Sequence, residues 1–286
     1  MKKLLCVSIV VITLALAPSL ESQQVGGSAP GPAVEEVPFI FLPSPTIPET
    51  EAASRPVPRL ADWTVDLTGP WVGGGSNVDI EFEGGLKPGE LPLLPWAREL
   101  RDKRDKKDEP YTSCLPMGVP RVNPYPWKFA MTYTPKGLTH IYVLHETGDA
   151  GAHRVIHMDG RKHPVDPLPT WFGHSIGSWD GDTLVVDIAN YNDKGSIATN
   201  AATQRVRSIP QSQDLHVVER FTRVDENTID YEATIEDPKV FTAPWRVAIP
   251  LHREPDYRIF EYACHEGNLA IPNTLSAGRA LRVRPR

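Results

Sequence analysis

The stretch from Trp171 to Asn192, WFGHSIGSWDGDTLVVDIANYN, decides how the rest of this chain is read. Two runs rich in β-branched and aromatic residues meet at Asp180-Gly181, a pair that tolerates the positive φ of a two-residue hairpin loop. With Asp180 and Gly181 as that loop, Trp179 pairs with Asp182, Ser178 with Thr183, Ile176 with Val185 and His174 with Asp187. One face then carries Trp179, Gly177, Ser175, Leu184, Val186 and Ile188, and the other Ile176, Val185, Thr183 and the His174/Asp187 pair. Both faces are largely apolar, so the hairpin is expected to be central, covered on two sides, and the His/Asp pair is its first chemical candidate.

Outward from this hairpin, strand follows strand. Trp127 to Tyr133, His140 to His145, His153 to Met158, Leu215 to Val224, Thr228 to Ile235, Trp245 to Leu251 and Arg258 to Ala263 each carry strand composition, mostly with short turns between them. Earlier, Trp63 to Val72 reads as a first strand interrupted by Pro70, which donates no ladder hydrogen bond. No helix separates consecutive strands, which excludes a parallel α/β sheet and favours an all-β antiparallel meander closing into a barrel. The one helix expected is a short surface helix over Trp96 to Glu109, with Pro95 in its first turn and the four-apart pairs Glu99/Lys103 and Asp102/Lys106.

A three-residue loop at Asp225-Glu226-Asn227 pairs Val224 with Thr228, Phe221 with Tyr231, Arg220 with Glu232, Glu219 with Ala233 and His216 with Glu236. One face of that hairpin is charged. The other is Val217, Phe221, Tyr231, Ala233 and Ile235 with a single intruder, Glu219. A carboxylate on an apolar face either pairs with a base or has its pKa raised, so Glu219 becomes a site candidate; the bland alternative is a rim position that meets water.

The composition bounds the setting. The chain has 286 residues, a net charge of −6 and 29 prolines, about twice the usual share. Lys2 and Lys3 precede the apolar run Leu4 to Ala17, which is too short to span a bilayer and has the layout of a signal peptide over residues 1–23. Export to the periplasm or beyond is therefore expected, with no membrane span after cleavage. The remaining 28 basic and 35 acidic residues argue against nucleic acid or an anionic membrane surface as partner. Residues 24–60 are Pro-rich and aperiodic, an expected disordered tether, followed by a single barrel domain over 61–286. Two cysteines survive cleavage, Cys114 and Cys264, and an even pair in an oxidising compartment is expected to form a disulfide.

Several stretches resemble a family of exported bacterial proteins of uncharacterised activity: RVIHMDGRKHP (Arg154 to Pro164), the central hairpin continued to Gly195, DLHVVERFTRVDENTIDYEATIEDP (Asp214 to Pro238), FTAPW (Phe241 to Trp245) and FEYACHEGN (Phe260 to Asn268). The resemblance covers roughly Trp96 to Arg279 and implies no known activity. The family pattern has Asp where this chain has His174, so what the resemblance carries over is Asp180, Asp182 and Asp187. Gly69-Pro70-Trp71 is in addition similar to the Gly-x-Trp of a lipocalin's first strand, which favours a barrel over a sandwich.

Other chemistries lack their residues. His153 and His157, four apart on a strand, stand about 13 Å apart, too far to share an ion. His265-Glu266 lacks a zincin's second histidine, and there is no haem-attachment motif, phosphate-cradling glycine loop or Gly-x-Ser-x-Gly elbow. No metal or other cofactor is expected. Ser175 follows His174 directly, and strand neighbours point to opposite faces, so His174 cannot serve it as a base.

Three function classes remain. The first is a barrel binding a small, partly apolar molecule through Trp171, Trp179, Arg154, Tyr231 and Trp245. The second is a cofactor-independent lyase, isomerase or hydrolase whose acid–base groups are Glu219, Asp187 and His174, expected to share one cavity. The third is a structural or interaction module of the envelope. If Cys114 and Cys264 are bonded, thiol titration of the unfolded, unreduced mature protein finds no free thiol; two free thiols would overturn the pairing.

Overall fold

The computed structural model describes residues 56–73, 89–123, 125–146, 153–200, 207–263 and 270–283. The expected leader, all but the last five residues of the expected tether, and Cys264 lie outside the described residues. In chain order the elements are β1 (Gly69–Gly73), α1 (Pro95–Lys103), β2 (Trp127–Thr134), β3 (Gly137–His145), β4 (His153–His157), β5 (His174–Asp180), β6 (Thr183–Ala189), β7 (Ser196–Asn200), β8 (Arg207–Pro210), β9 (His216–Arg223), β10 (Thr228–Glu236), β11 (Trp245–Arg253) and α2 (Ala270–Val283). Nine strands close a barrel in the order β1-β11-β10-β9-β6-β5-β4-β3-β2, with β7 and β8 forming a separate two-stranded sheet. The protein is thus an all-β barrel, as its strand pattern leads one to expect.

Period-two alternation assigns the inside. Val217, Glu219, Phe221 and Arg223 of β9 are buried and alternate with partly exposed neighbours, and β10 and β11 do the same through Tyr231, Ala233, Ile235 and Val247, Ile249, Leu251. The core is aromatic at its centre. Trp127, Phe129, Phe221 and Tyr231 form a chain of edge-on and tilted rings with centroids 4.6, 5.3 and 4.9 Å apart in that order, each such contact adding about 0.5 to 1.5 kcal/mol beyond area burial. The Trp71 and Trp127 indoles donate to the Leu67 and Asn123 carbonyls at 2.8 and 2.9 Å, so neither buries an unpaired N–H.

The β9/β10 hairpin has the register its loop length requires, with Tyr231 opposite Phe221, Ala233 opposite Glu219 and Glu236 opposite His216. The central hairpin differs. Asp180 pairs with Thr183, Trp179 with Leu184, Ile176 with Asp187 and His174 with Ala189. The loop is Gly181-Asp182, and Gly181 takes the positive φ of 59° that a Gly-first turn needs. The slip is by two residues, so every side chain keeps its face while the direct His174/Asp187 cross-strand pair is lost.

The barrel is not a pure antiparallel meander. β4 and β5 run parallel, joined only at Ile156/Ser175 and His157/Ile176, and the segment 158–173 crosses between them. Such crossovers are usually helical, but Pro164, Pro167 and Pro169 lack the N–H groups a helix would use. The crossover is pinned to the end of the central hairpin by Thr170 N–H to the Asn190 carbonyl (3.1 Å) and Asn192 N–H to the Thr170 carbonyl (2.8 Å).

Other departures are local. The first strand is only Gly69–Gly73. Helix α1 ends at Lys103 and buries Ala97 and Arg101, leaving Trp96 exposed with its indole on the Lys239 carbonyl. Residues 258–263 form no strand, and α2 and the β7/β8 pair were not anticipated. Met117 through Asn123 pack into the core, with Met117, Val119, Val122 and Asn123 buried.

Gly173 makes the corner into β5. Its φ is +68°, and an added Cβ would sit 2.7 Å from the Ala189 carbonyl oxygen and 2.8 Å from an Ile188 methyl. Gly173→Ala should therefore cost about 2 to 4 kcal/mol, combining left-handed strain with overpacking. Urea denaturation reads this directly, and a loss below about 0.5 kcal/mol would contradict the corner's geometry.

Candidate functional site

Glu219 is fully buried on the inner face of β9, and a buried carboxylate survives only with partners. It has three. Arg154 Nη1 donates to Oε2 at 2.5 Å, while Asn123 Nδ2 and the Tyr231 hydroxyl both donate to Oε1 at 2.9 Å. Arg154 comes from β4, so its side chain reaches across the barrel interior to β9. Burial and the Glu219 charge push the Tyr231 phenol well above its ordinary range, and burial followed by the same charge does so for Tyr191. Burial, then the Arg154 charge, holds His145 well below the usual imidazole range, so it is neutral.

Where β4 and β5 diverge, a cleft of about 420 Å³ is lined by Pro116, His153, Arg154, Val155, His157, Thr170, Trp171, Phe172, Gly173, His174 and Ser175. Arg154 is 3% exposed and Ser175 1%. Arg154 Nε and Nη2, Ser175 Oγ, both His145 ring nitrogens and the Tyr191 hydroxyl are buried with no protein partner. These groups adjoin one another. His145 stacks on Phe172 with centroids 5.9 Å apart, and the Tyr191 ring lies beside Gly173. A buried polar group left unpaired costs about 1 to 3 kcal/mol, and here two such side chains, Arg154 and Ser175, line the cleft while His145 and Tyr191 lie behind its Phe172 and Gly173.

The outer face of the same strands carries an imidazole cluster. His140, His157 and His174 sit on adjacent strands with ring centroids 5.2 and 5.1 Å apart. His163, from the crossover, lies with Nδ1 2.9 Å from His174 Nδ1 and Nε2 3.1 Å from Asp187 Oδ1. His216 Nε2 reaches the same carboxylate oxygen at 2.9 Å. Because a carboxylate only accepts, His163 and His216 carry protons on Nε2; a neutral His163 then accepts at Nδ1 from His174. The two facing Nδ1 atoms hold one proton between them and have no room for two. Burial first, then His163 and Arg161, lowers the His174 pKa; burial first, then Arg161, His174 and His140, lowers that of His157, with Asp159 opposing. The Asp187 pKa is lowered too: burial opposes this, but the hydrogen bonds from His216 and His163 outweigh it. No group of three or more His, Cys, Asp or Glu among the described residues is arranged to hold a metal ion.

The expected single cavity is thereby corrected. Glu219 points into the barrel, while Asp187 and His174 stand on the outer face, because alternate strand positions face opposite sides. His163 replaces the direct His174/Asp187 contact. Of the expected ligand-binding residues, Trp171 and Arg154 line the cleft; Tyr231 holds Glu219; Trp245 packs on Phe241 in the core at 5.4 Å; and Trp179 packs partly buried against the core. His145 and Tyr191 were missed, since nothing in a strand's local pattern distinguishes a buried polar group that lacks a partner.

Fold and site together define a closed all-β barrel with a polar, aromatic-walled cleft where two parallel strands part. Comparison with protein-family models, curated proteins and solved structures finds no match to this chain. No helix among the described residues is long and apolar enough to cross a membrane.

Two outcomes are expected of this site. Arg154→Ala leaves Glu219 buried without a counter-charge and should cost about 3 to 5 kcal/mol, whereas Arg154→Gln combined with Glu219→Gln should cost less. Equal losses in urea denaturation would show that charge imbalance is not the cause. The second concerns pH. His145, His157 and His174 bind protons less readily folded than unfolded, so the stability they contribute is complete above their unfolded value of 6.5 and lost as pH falls below it. Asp187, lowered from 3.8, loses its contribution only at lower pH still, as its carboxylate protonates. The urea midpoint should therefore fall between pH 7.5 and about 5.5, and a rise would contradict the buried neutral imidazoles.

Proposed function

We propose that this protein is an exported barrel that binds a small, partly apolar molecule in the cleft between β4 and β5. The carrying observation is that Arg154 and Ser175, whose buried polar atoms lack partners, line a cleft with the apolar walls of Trp171 and Phe172. Ligand sites combine this kind of apolar lining with a few convergent polar groups, and a volume of about 420 Å³ suits a molecule of metabolite size. The signal-like N-terminus and the resemblance to exported bacterial proteins support the export half of the reading.

In this reading Glu219 is the anchor that sets Arg154, since all three of its donors come from the protein. Protein exposed to periplasmic extract and examined by native mass spectrometry should retain a small molecule, identified on release. Trp171→Ala should lose most of it. Retention of nothing, or equal retention by the variant, would overturn the cleft as the binding site.

A second reading, acid–base catalysis in the same cleft, has one observation in its favour. His174 lines the cleft and is backed by His163 and then Asp187, a chain along which a proton can be held and passed. If the retained compound is turned over, His174→Asn should lower the rate by about a hundredfold to ten-thousandfold in a protein that still folds. Conversion at the wild-type rate would remove His174 from the chemistry.

A further inference from the structure

The guanidinium of Arg154 is a planar fork with two usable edges, and the buried carboxylate takes only one nitrogen. Nη1 is held by Glu219, while Nε and Nη2, shut off from water behind the cleft wall, have no partner. Those two N–H groups lie on the same side of the guanidinium and point the same way, which is the edge that receives both oxygens of a carboxylate. Resting on the binding reading above, we infer that the molecule taken by this cleft carries a carboxylate that reaches behind the cleft wall to sit side-on against the buried Arg154 Nε–H and Nη2–H, with the Ser175 hydroxyl as a third donor, and a flat apolar body against Trp171 and Phe172.

Charge sets the limit on the anion. Arg154 and Glu219 together are neutral, so a carboxylate leaves the buried group with a single negative charge, whereas a phosphate dianion would leave two in a place where ions are costly. Glu219 spreads its own charge over three donors, which keeps the guanidinium able to polarise a second partner. The rim does not oppose this sign. No acidic residue is among the lining side chains, and the Arg161 guanidinium stands close enough to act on His157 and His174, which line the cleft. Asp159, the nearest carboxylate of the crossover, is already engaged by Arg161, with contacts of 2.9 and 2.6 Å.

Shape fixes the rest of the molecule. Trp171, Phe172, Val155 and Pro116 give the cleft apolar walls, and Phe172 lies parallel to the buried His145 ring at an angle of 3°. A planar ring bearing one carboxylate satisfies both halves, the fork and the stacked wall.

The test uses a matched pair of probes, 2-naphthoate and 2-naphthamide, titrated calorimetrically into the full mature protein at pH 7.5. The acid should bind at least tenfold more tightly than the amide. Arg154→Lys, which keeps the charge but removes the fork, should reduce that preference several-fold, and Arg154→Gln with Glu219→Gln should abolish it. Should either variant fail to fold, nitrogen-15 spectra of the wild-type arginine side chains decide: the Arg154 Nε–H signal should shift with naphthoate and stay in place with naphthamide. Equal binding of acid and amide would overturn the carboxylate assignment and leave the binding cleft standing. No binding of either probe at millimolar concentration would overturn both together.

Discussion

One ion pair governs this barrel's interior. Arg154 and Glu219 are each almost wholly withdrawn from water, and neither would be tolerated there alone. Their contact ties β4 to β9 across the core, and Asn123 joins it from the buried segment that precedes β2. A pair of this kind is weak evidence for stability, since well-packed apolar residues would serve as well. What it does provide is position. Glu219 holds one nitrogen of the guanidinium and thereby orients the opposite edge.

The second constraint is the direction of β5. Had the chain continued as a meander, β4 and β5 would have been joined by a short hairpin with a full ladder. The proline-rich crossover instead returns β5 parallel to β4, leaving two paired positions and a cleft where the strands part. The same crossover delivers Trp171 and Phe172 to the cleft wall and His163 to the imidazole cluster that borders it. One irregular segment therefore builds both sides of the site, and the His163 contacts to His174 and Asp187 fasten it to the sheet.

Much of the sheet is legible in the sequence. The faces of the central hairpin and the whole register of β9 and β10 followed from turn residues and period-two alternation, which act between neighbours in sequence. The two-residue slip at Asp180-Gly181 shows the limit: two adjacent loops offer nearly the same local chemistry, and pairing with β9 through Val186/Glu219 accompanies the one adopted. Glu219 was conspicuous because it breaks an apolar face, whereas Arg154 was not traceable as its partner, being 65 residues away on a strand of unremarkable pattern.

The chain's own pattern determined that this is an all-β protein, that Glu219 interrupts an apolar face, and that His174 and Asp187 share one face of their hairpin. Those are consequences of alternation, turn chemistry and the cost of burying charge, all of which act locally along the sequence. Closure of the barrel decided which base reaches Glu219, which edge of Arg154 is left over, and that His163 stands between His174 and Asp187. Such contacts join strands distant in sequence, and their distances exist only after the sheet has curved around its core.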